Sequence, residues 1–313
     1  VHARQAQCWC SIEAGNRMKQ LVILSGKGGT GKTSLAAAFA HLAHQGADPV
    51  RAVLADADVD AANLELVLRP ERMEMHDFMG GSTAVIDPQL CNSCGICEQV
   101  CRFDAVLVDT GYRIDPVACE GCAACFYPCP EHAIRMEPQV AGQWFRSASR
   151  YGPLFHAELK PAQENSGKLV TLVKQQARLA ALDGDYPLLL VDGPPGIGCP
   201  VISALSGADL ALVVAEPTAS GVHDMQRIIE TAAHFRIPCL VCINKADINT
   251  DVAAEIEADA ARRGIQILGR IRYDESVTMA QVRQLAVVEN GQSPAAADIR
   301  ALWEHVKTAM GGA

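Results

Sequence analysis

Positive charge is in short supply. Lys and Arg number 27 against 36 Asp and Glu, a formal net charge of −9 at pH 7, and no Lys/Arg run stands out. A groove that neutralises many phosphates needs a basic face, so no nucleic-acid partner is expected. Long apolar runs are missing too: nothing reaches the ~18 uninterrupted residues of a bilayer-spanning helix, and residues 1–17 lack the apolar centre of a secretory signal. Membrane association is therefore not expected, and the expected compartment is the cytoplasm. Residues 1–17 show no periodicity and precede Met18, where a strand begins. They read as a disordered extension or a misplaced start, and the spacing of Cys8 and Cys10 matches no common structural metal site.

What is present is enough for a sizeable core: 49% of the 313 residues are hydrophobic, sufficient for one large domain or two unequal ones. The 13 cysteines, in a cytoplasmic setting, point to metal rather than disulfides. Eight of them fall between positions 91 and 129.

The β-branched run QLVILS (20–25) ends at Gly26, and TSLAAAFAHLAHQG (33–46) reads as an Ala/Leu helix stopped by Gly46. Strand, glycine loop and helix form the setting of a phosphate-binding loop. Within it, Gly26-Lys27-Gly28-Gly29-Thr30-Gly31-Lys32-Thr33 satisfies GxxxxGK[ST]. The glycines let backbone N–H groups close on phosphate oxygens at a positive helix N-terminus. Lys32 is expected to reach the β- and γ-phosphates of ATP, and Thr33 to ligate Mg2+. Further strands are expected at 51–56, 187–196, 210–217, 239–247 and 265–271, separated by helices. Continuous apolar strands alternating with helices predict an α/β fold, a mostly parallel sheet of P-loop NTPase type with helices on both faces and ligands at the strands' carboxyl ends.

These segments resemble the MinD/ParA-type ATPases. KGGTGKT with Lys27, DADVDAANL (56–64) and VDGPPGIG (191–198) look like that family's deviant Walker A, switch I and switch II. The resemblance implies a homodimer, or a heterodimer with a related ATPase, in which Lys27 acts across the interface on the partner's phosphates. It implies that Asp58, or alternatively Asp56, orients the attacking water, that Asp192 lies near Mg2+, and that the Gly196 N–H senses the γ-phosphate. Asp60 reads as a solvated or capping carboxylate. Asn244-Lys245-Ala246-Asp247 fits the NKxD base-recognition motif of GTPases. In the resembled family the Asn contacts adenine instead, so ATP is the expected nucleotide, with Asp247 the residue to watch if the base is guanine. Cys239 and Cys242 share one strand but face opposite sides, which makes them core thiols rather than joint metal ligands.

Residues 86–106 and 114–134 repeat at an offset of 28, and every cysteine maps onto a cysteine. Each half is C-x2-C-x2-C-x3-C, the pattern of bacterial two-cluster ferredoxins, in which the fourth cysteine of each half crosses to the other cluster. The expected ligands are Cys91, Cys94, Cys97 and Cys129 for one [4Fe–4S] cluster, and Cys119, Cys122, Cys125 and Cys101 for the second. Pro130 follows Cys129 as the pattern expects, whereas Arg102 follows Cys101. The organisation expected is an ATPase domain of 18–82 plus 141–313, interrupted at 83–140 by a small α+β ferredoxin-like domain. This resembles a subgroup of MinD-superfamily ATPases that carry such an insertion.

Ser166 reads as the cap of an amphipathic helix over 164–182, with Lys168 a solvated first-turn lysine. Cys199 after switch II reads as a packing residue, because one such thiol per chain gives a dimer fewer ligands than a cubane needs. In the C-terminal segment, Ile299, Leu302, Trp303, Val306 and Met310 share one helical face, expected to dock on the body. His132, His156 and His223 read as structural or surface residues. Three functions are expected in order: an ATPase whose nucleotide-driven dimer gates electron transfer through two clusters to a redox partner; a carrier that hands iron–sulfur units to an acceptor protein; and a spatial organiser with a redox-sensing module.

Overall fold

The computed structural model describes residues 18–45, 49–160, 166–289 and 291–311. Cys8, Cys10 and the helix stop expected at Gly46 lie outside the described residues. β1 (Lys19–Ser25), with Leu21 to Leu24 fully buried, leads through the glycine loop into α1 (Lys32–Gln45). β2 (Ala52–Asp56) is buried throughout, and the five-residue α2 (Leu64–Leu68) follows. Next comes the 16-residue β3 (Glu71–Ile86), then a small module of α3 (Ile96–Val100), β4 (Val106–Val108) and β5 (Tyr112–Ile114), and the 16-residue return strand β6 (Ile134–Ser149). β7 (Gly152–Leu159), α4 (Ser166–Asp183), β8 (Leu188–Pro195) and α5 (Cys199–Leu205) continue the body. β9 (Leu210–Ala215), α6 (Ala219–His234), β10 (Cys239–Asn244), α7 (Thr250–Arg262), β11 (Gln266–Ile271), α8 (Glu275–Val282) and α9 (Pro294–Ala309) complete it.

Nine strands form one sheet in the order β11-β10-β9-β1-β8-β2-β7-β6-β3. From β11 to β7 all pairings are parallel, while β7–β6 and β6–β3 are antiparallel. Alternate residues of the central strands feed two cores. Leu21 and Ile23 pack on the side of α1 and α9, and Val22 and Leu24 on the side of α4 to α7, as a sheet covered on both faces requires. Cys242 lies in the first core and Cys239 against the second, opposite faces as their spacing dictates, and burial pushes both thiols up to about 12. The C-terminal helix docks as expected: Ile299, Leu302, Trp303, Val306 and Met310 join the first core, with Trp303 5.0 Å from Phe39. Among the described residues no helix is long and apolar enough to cross a membrane.

The sequence reading has no strands over β3, β6 and β7. Residues 71–77 of β3 are all exposed and mix Glu, Arg, Met and His, so they carry no apolar period. What makes them a strand is the antiparallel ladder with β6, bulged near Arg72, Phe78 and Met79. Two reversals of direction make β3 run the same way as β2, so it leaves the sheet on the carboxyl side of the parallel strands. By register, Met75 stands level with Phe145, His156 and Asp56. At roughly 3.3 Å per residue, with its bulges, the ribbon carries Ile86 about 30 Å beyond that level. There Ala84, Ile86 and Ile134 form a small third core with Tyr112, Ile114 and five of the clustered cysteines. The module is thus mounted at the end of an arm whose root is the edge of the ATPase-like sheet.

Candidate functional site

At two of its glycines the phosphate-binding loop leaves no room for a side chain. A Cβ on Gly26 would stand 1.9 Å from the Asp224 Cβ, and one on Gly31, at φ +95°, would meet Asn244 Nδ2 at 2.4 Å. Asn244 donates to the Thr30 carbonyl at 2.7 Å, so the residue that begins NKxD holds the loop in shape. Lys32 opens α1 and is buried. A cleft of about 740 Å3 faces it, lined by Gly28, Gly29, Gly31, Lys32, Thr33, Asp58 and Asn244, with Asp60, Leu66 and Val67 on one wall and Arg272 and Tyr273 on another. Buried donors, a positive helix end and an open volume of this size suit a nucleoside phosphate.

Asp56 ends β2 and stands in register with Asp192 of β8. Asp56 accepts from the backbone N–H groups of Asp58, Asn63 and Leu64 at 3.1, 3.1 and 2.9 Å. Burial, and then the charge of Asp192, hold its carboxyl well above the usual range. Both oxygens of Asp192 are buried without a hydrogen-bond partner among the described residues, although Thr33 lies alongside. Burial pushes Asp192 up to about 7 against the pull of Thr33 and Lys32. An orphaned carboxylate beside Thr33 fits a cation in this corner of the cleft. Asp58, one step out, is also raised, chiefly by burial, with Lys32 opposing. Asp56 is thus occupied in shaping switch I, while Asp58 lines the cleft.

Three residues stand differently from their sequence-level roles. Lys27 lies 2.9 Å from Glu216 Oε2 and 3.3 Å from Thr218 Oγ1 in its own chain. Gly196, at φ +92°, donates its N–H to the Ser25 carbonyl at 2.9 Å, a bond that must be released before it can meet a phosphate. Asp247 does not line the cleft and accepts from the Tyr273 N–H at 2.6 Å, which holds the loop after β11. Ser166 is the first helical residue of α4, so the cap itself lies outside the described residues. Lys168 is exposed, as are His132 and His223, and so is Cys199, which is therefore not the packing thiol its sequence suggests, whereas His156 is wholly buried. Sequence reasoning missed Glu216, which also takes Lys245 at 2.7 Å. Burial works to raise it, yet the two lysines hold its carboxyl below the ordinary value. A lone Glu at the carboxyl end of a buried strand was the available signal.

In the arm's module, one cavity is bounded by Cys91, Cys94, Cys97 and Cys129 with Ile86, Tyr112 and Ile134. The other is bounded by Cys101, Cys119, Cys122 and Cys125 with Ala84, Phe103 and Ile114. Each quartet therefore takes its fourth thiol from the other half of the repeat. The repeat extends to the backbone: Ser93 and Gly121, Gly95 and Ala123, and Asp104 and His132 are pairs at the same offset, and all six have positive φ. These cysteines are free of disulfides, and the Ala133 N–H donates to Cys129 Sγ at 3.3 Å. Burial raises the thiols of Cys97 and Cys125. Among the described residues no three His, Cys, Asp or Glu are grouped to hold a single metal ion. Thiols spread round an apolar cavity suit a cubane, which takes one thiolate per corner, better than an ion that draws its ligands to about 2.3 Å.

A family model of the CobQ/CobB/MinD/ParA nucleotide binding domain matches residues 21–287. The chain belongs to this family. The match is to a nucleotide-binding domain, and the chain has the large, mostly parallel sheet of its MinD neighbour. It is 35% identical over 230 residues to an uncharacterized protein of Methanocaldococcus jannaschii, covering 74% of this chain and 79% of that protein. An iron-sulfur cluster carrier protein of Pyrococcus furiosus is 25% identical over 144 residues, 42% of this chain and 48% of that one. The septum site-determining protein MinD of Pyrococcus horikoshii, solved with Mg-ADP, superposes with a TM-score of 0.58 at 17% identity, covering 94% of this chain and 98% of its own.

Proposed function

We propose that the protein is a dimeric ATPase whose nucleotide state gates electron transfer through two [4Fe–4S] clusters. The observation that carries this reading is the pair of crossed cysteine quartets at the end of an arm rooted beside switch I. Lys32 and the loop N–H groups bind the phosphates, Thr33 and Asp192 hold Mg2+, and Asp58 orients the attacking water. Asn244 faces the adenine side of the cleft. Lys27, freed from Glu216, acts on the partner's nucleotide. The clusters supply one-electron chemistry, and the chain's own part is to hold each by four thiolates inside an apolar wall that limits water. Cys94 and Cys122 are the exposed corners, through which a redox partner has access.

The test is composition, then coupling. Anaerobically purified protein should hold about eight iron and eight acid-labile sulfide per chain. Cys129→Ser should damage the cluster bound by Cys91, Cys94 and Cys97, and damage confined to its own sequence neighbours would show uncrossed ligation. Cluster potentials and electron-transfer rates to an external acceptor should then change with a non-hydrolysable ATP analogue. If neither moves, gating is wrong. Loss of clusters to an acceptor protein on hydrolysis would favour a carrier, the role that the name of the Pyrococcus furiosus relative records.

A further inference from the structure

α2 has five residues, too few to persist alone, so its position is set by what grips it. Its first N–H groups are held by Asp56, at the end of the strand beside Asp192. Its Leu66 and Val67 line the nucleotide cleft. Leu64, Val67 and Leu68 are buried in the first core and the C-cap residue Arg69 donates to the Arg283 carbonyl at 2.8 Å, but most of the remaining polar grips come from the arm's root. The Val67 carbonyl accepts from Arg150, in the turn between β6 and β7, at 2.9 Å. Glu65 receives Arg72 of β3 at 3.3 Å, and the same guanidinium reaches Glu158 of β7 at 2.7 Å and lies 4.1 Å over the Phe145 ring of β6. His156 of β7 is wholly buried, accepts or donates at Ser147 Oγ at 3.0 Å, and turns Nδ1 towards Glu65 at 3.4 Å. One arginine therefore joins α2 to three arm-root strands.

The other end of the arm is equally fixed. A Cβ on Gly121, in the module's second loop, would stand 2.0 Å from the Ser82 carbonyl, and Ala84, Ile86 and Ile134 are shared with the cysteine module. The module is thus packed directly on the far end of the ribbon whose near end is the arm's root.

We propose that α2 is the lever between the nucleotide cleft and the arm, and that Arg72 is the positioning residue through which it acts. Nucleotide contacts on Leu66 and Val67 move α2, Glu65 carries Arg72 with it, and the root of β3 and β6 follows. This deepens the gating function proposed above and rests on it for the purpose of the movement, though not for the movement itself.

Hydrogen exchange of the full, anaerobically purified chain, with and without Mg–AMPPNP, tests it. In wild type the analogue should slow exchange in the glycine loop, in α2 and in segments 71–81 and 138–149, the last two by about fivefold or more, the lower end of ordinary coupling. Arg72→Ala and Glu65→Gln should each keep the glycine-loop response and lose most of the arm response. The double variant should lose no more than either alone, since residues acting through one contact are not additive. A merely structural Arg72 would loosen the arm equally with and without nucleotide. The lever is overturned if both single variants keep the arm response, or if the wild-type arm does not respond. Should Arg72→Ala fail to fold, Glu65→Gln alone decides. If the arm responds and cluster potentials and transfer rates do not, the gating function falls and the lever stands.

Discussion

Glu216 holds Lys27 inside its own subunit, with the ammonium 2.9 Å from Oε2. A lysine that is to reach the phosphates of a second subunit has first to leave this carboxylate. Lys27 is about a third exposed, so water screens the pair and the hold is modest.

Glu216→Gln keeps the shape and removes the charge. The variant should dimerise with Mg–AMPPNP at a protein concentration lower by about two- to fivefold, the range of a screened ion pair. Sedimentation equilibrium measures it, and weaker dimerisation would mean that Glu216 guides Lys27 to the partner instead.

Lys32 and Lys27 should separate binding from assembly. Lys32→Ala should lose nucleotide affinity, since it removes the buried ammonium at the mouth of α1. Lys27→Ala should bind ATP near wild-type affinity while losing dimerisation and hydrolysis. Calorimetry and turnover assays distinguish the two, and a Lys27→Ala variant that hydrolyses ATP normally contradicts action across the interface. The same titration repeated with GTP checks the base: Asp247 is engaged with Tyr273 and should give guanine no advantage.

The orphaned Asp192 gives a pH signature to the nucleotide-free protein. Its folded value of about 7 lies above the ordinary carboxylate value near 4, so the folded state binds the extra proton across that window. Stability associated with this group is present at low pH and is lost as pH rises from about 4 to about 7. Asp192→Asn should therefore be more stable than wild type at pH 8, with a gap that closes as pH falls through 7 and below. Chemical denaturation of both proteins at pH 5.5 and 8 measures it; a gap of the same size at both values removes the assignment. Saturating Mg–ATP should narrow the gap from the other side by stabilising the wild type more than the variant.

Lys174 is a buried ammonium that closes the end of α5. It donates to the carbonyls of Ser203, Ala204 and Ser206, while burial, followed by the charge of Arg178, brings it down to about 8. Lys174→Met fills the same volume but strands three carbonyls, and should cost about 2–3 kcal/mol. Urea denaturation at pH 7 gives the value; a loss below about 0.5 kcal/mol would mean that water replaces the ammonium.

The central sheet was legible because β1, β2, β8, β9 and β10 are continuous apolar runs, and burial of both faces leaves no other reading. The crossed quartets were legible because the chain repeats itself, cysteine for cysteine. The arm was not: Glu71 to Asp77 are exposed, and only pairing with β6, far along the chain, makes them a strand. The same distance hid the nucleotide site's finer controls. Nothing near Lys27 in sequence announces Glu216, and nothing near His156, read as an isolated structural or surface histidine, announces Glu65 and Arg72. Local patterns report burial and repeats; they do not report which charge meets which across a sheet.

The strand order also fixes a sequence of events during synthesis. β1 and β2 emerge first, but β8 lies between them in the sheet, and β7 covers the far side of β2. β1 has no partner until the chain beyond residue 187 is made, and β2 none until β7 follows the arm. The arm and its module need no such wait, because β3 pairs with β6 and the thiol repeat is complete by Cys129. Zipping this ribbon also brings the ends of a long connection together, sparing later strands most of the entropy of closing it. The growing chain can therefore close its thiol-bearing unit before the strands that build the nucleotide cleft are complete.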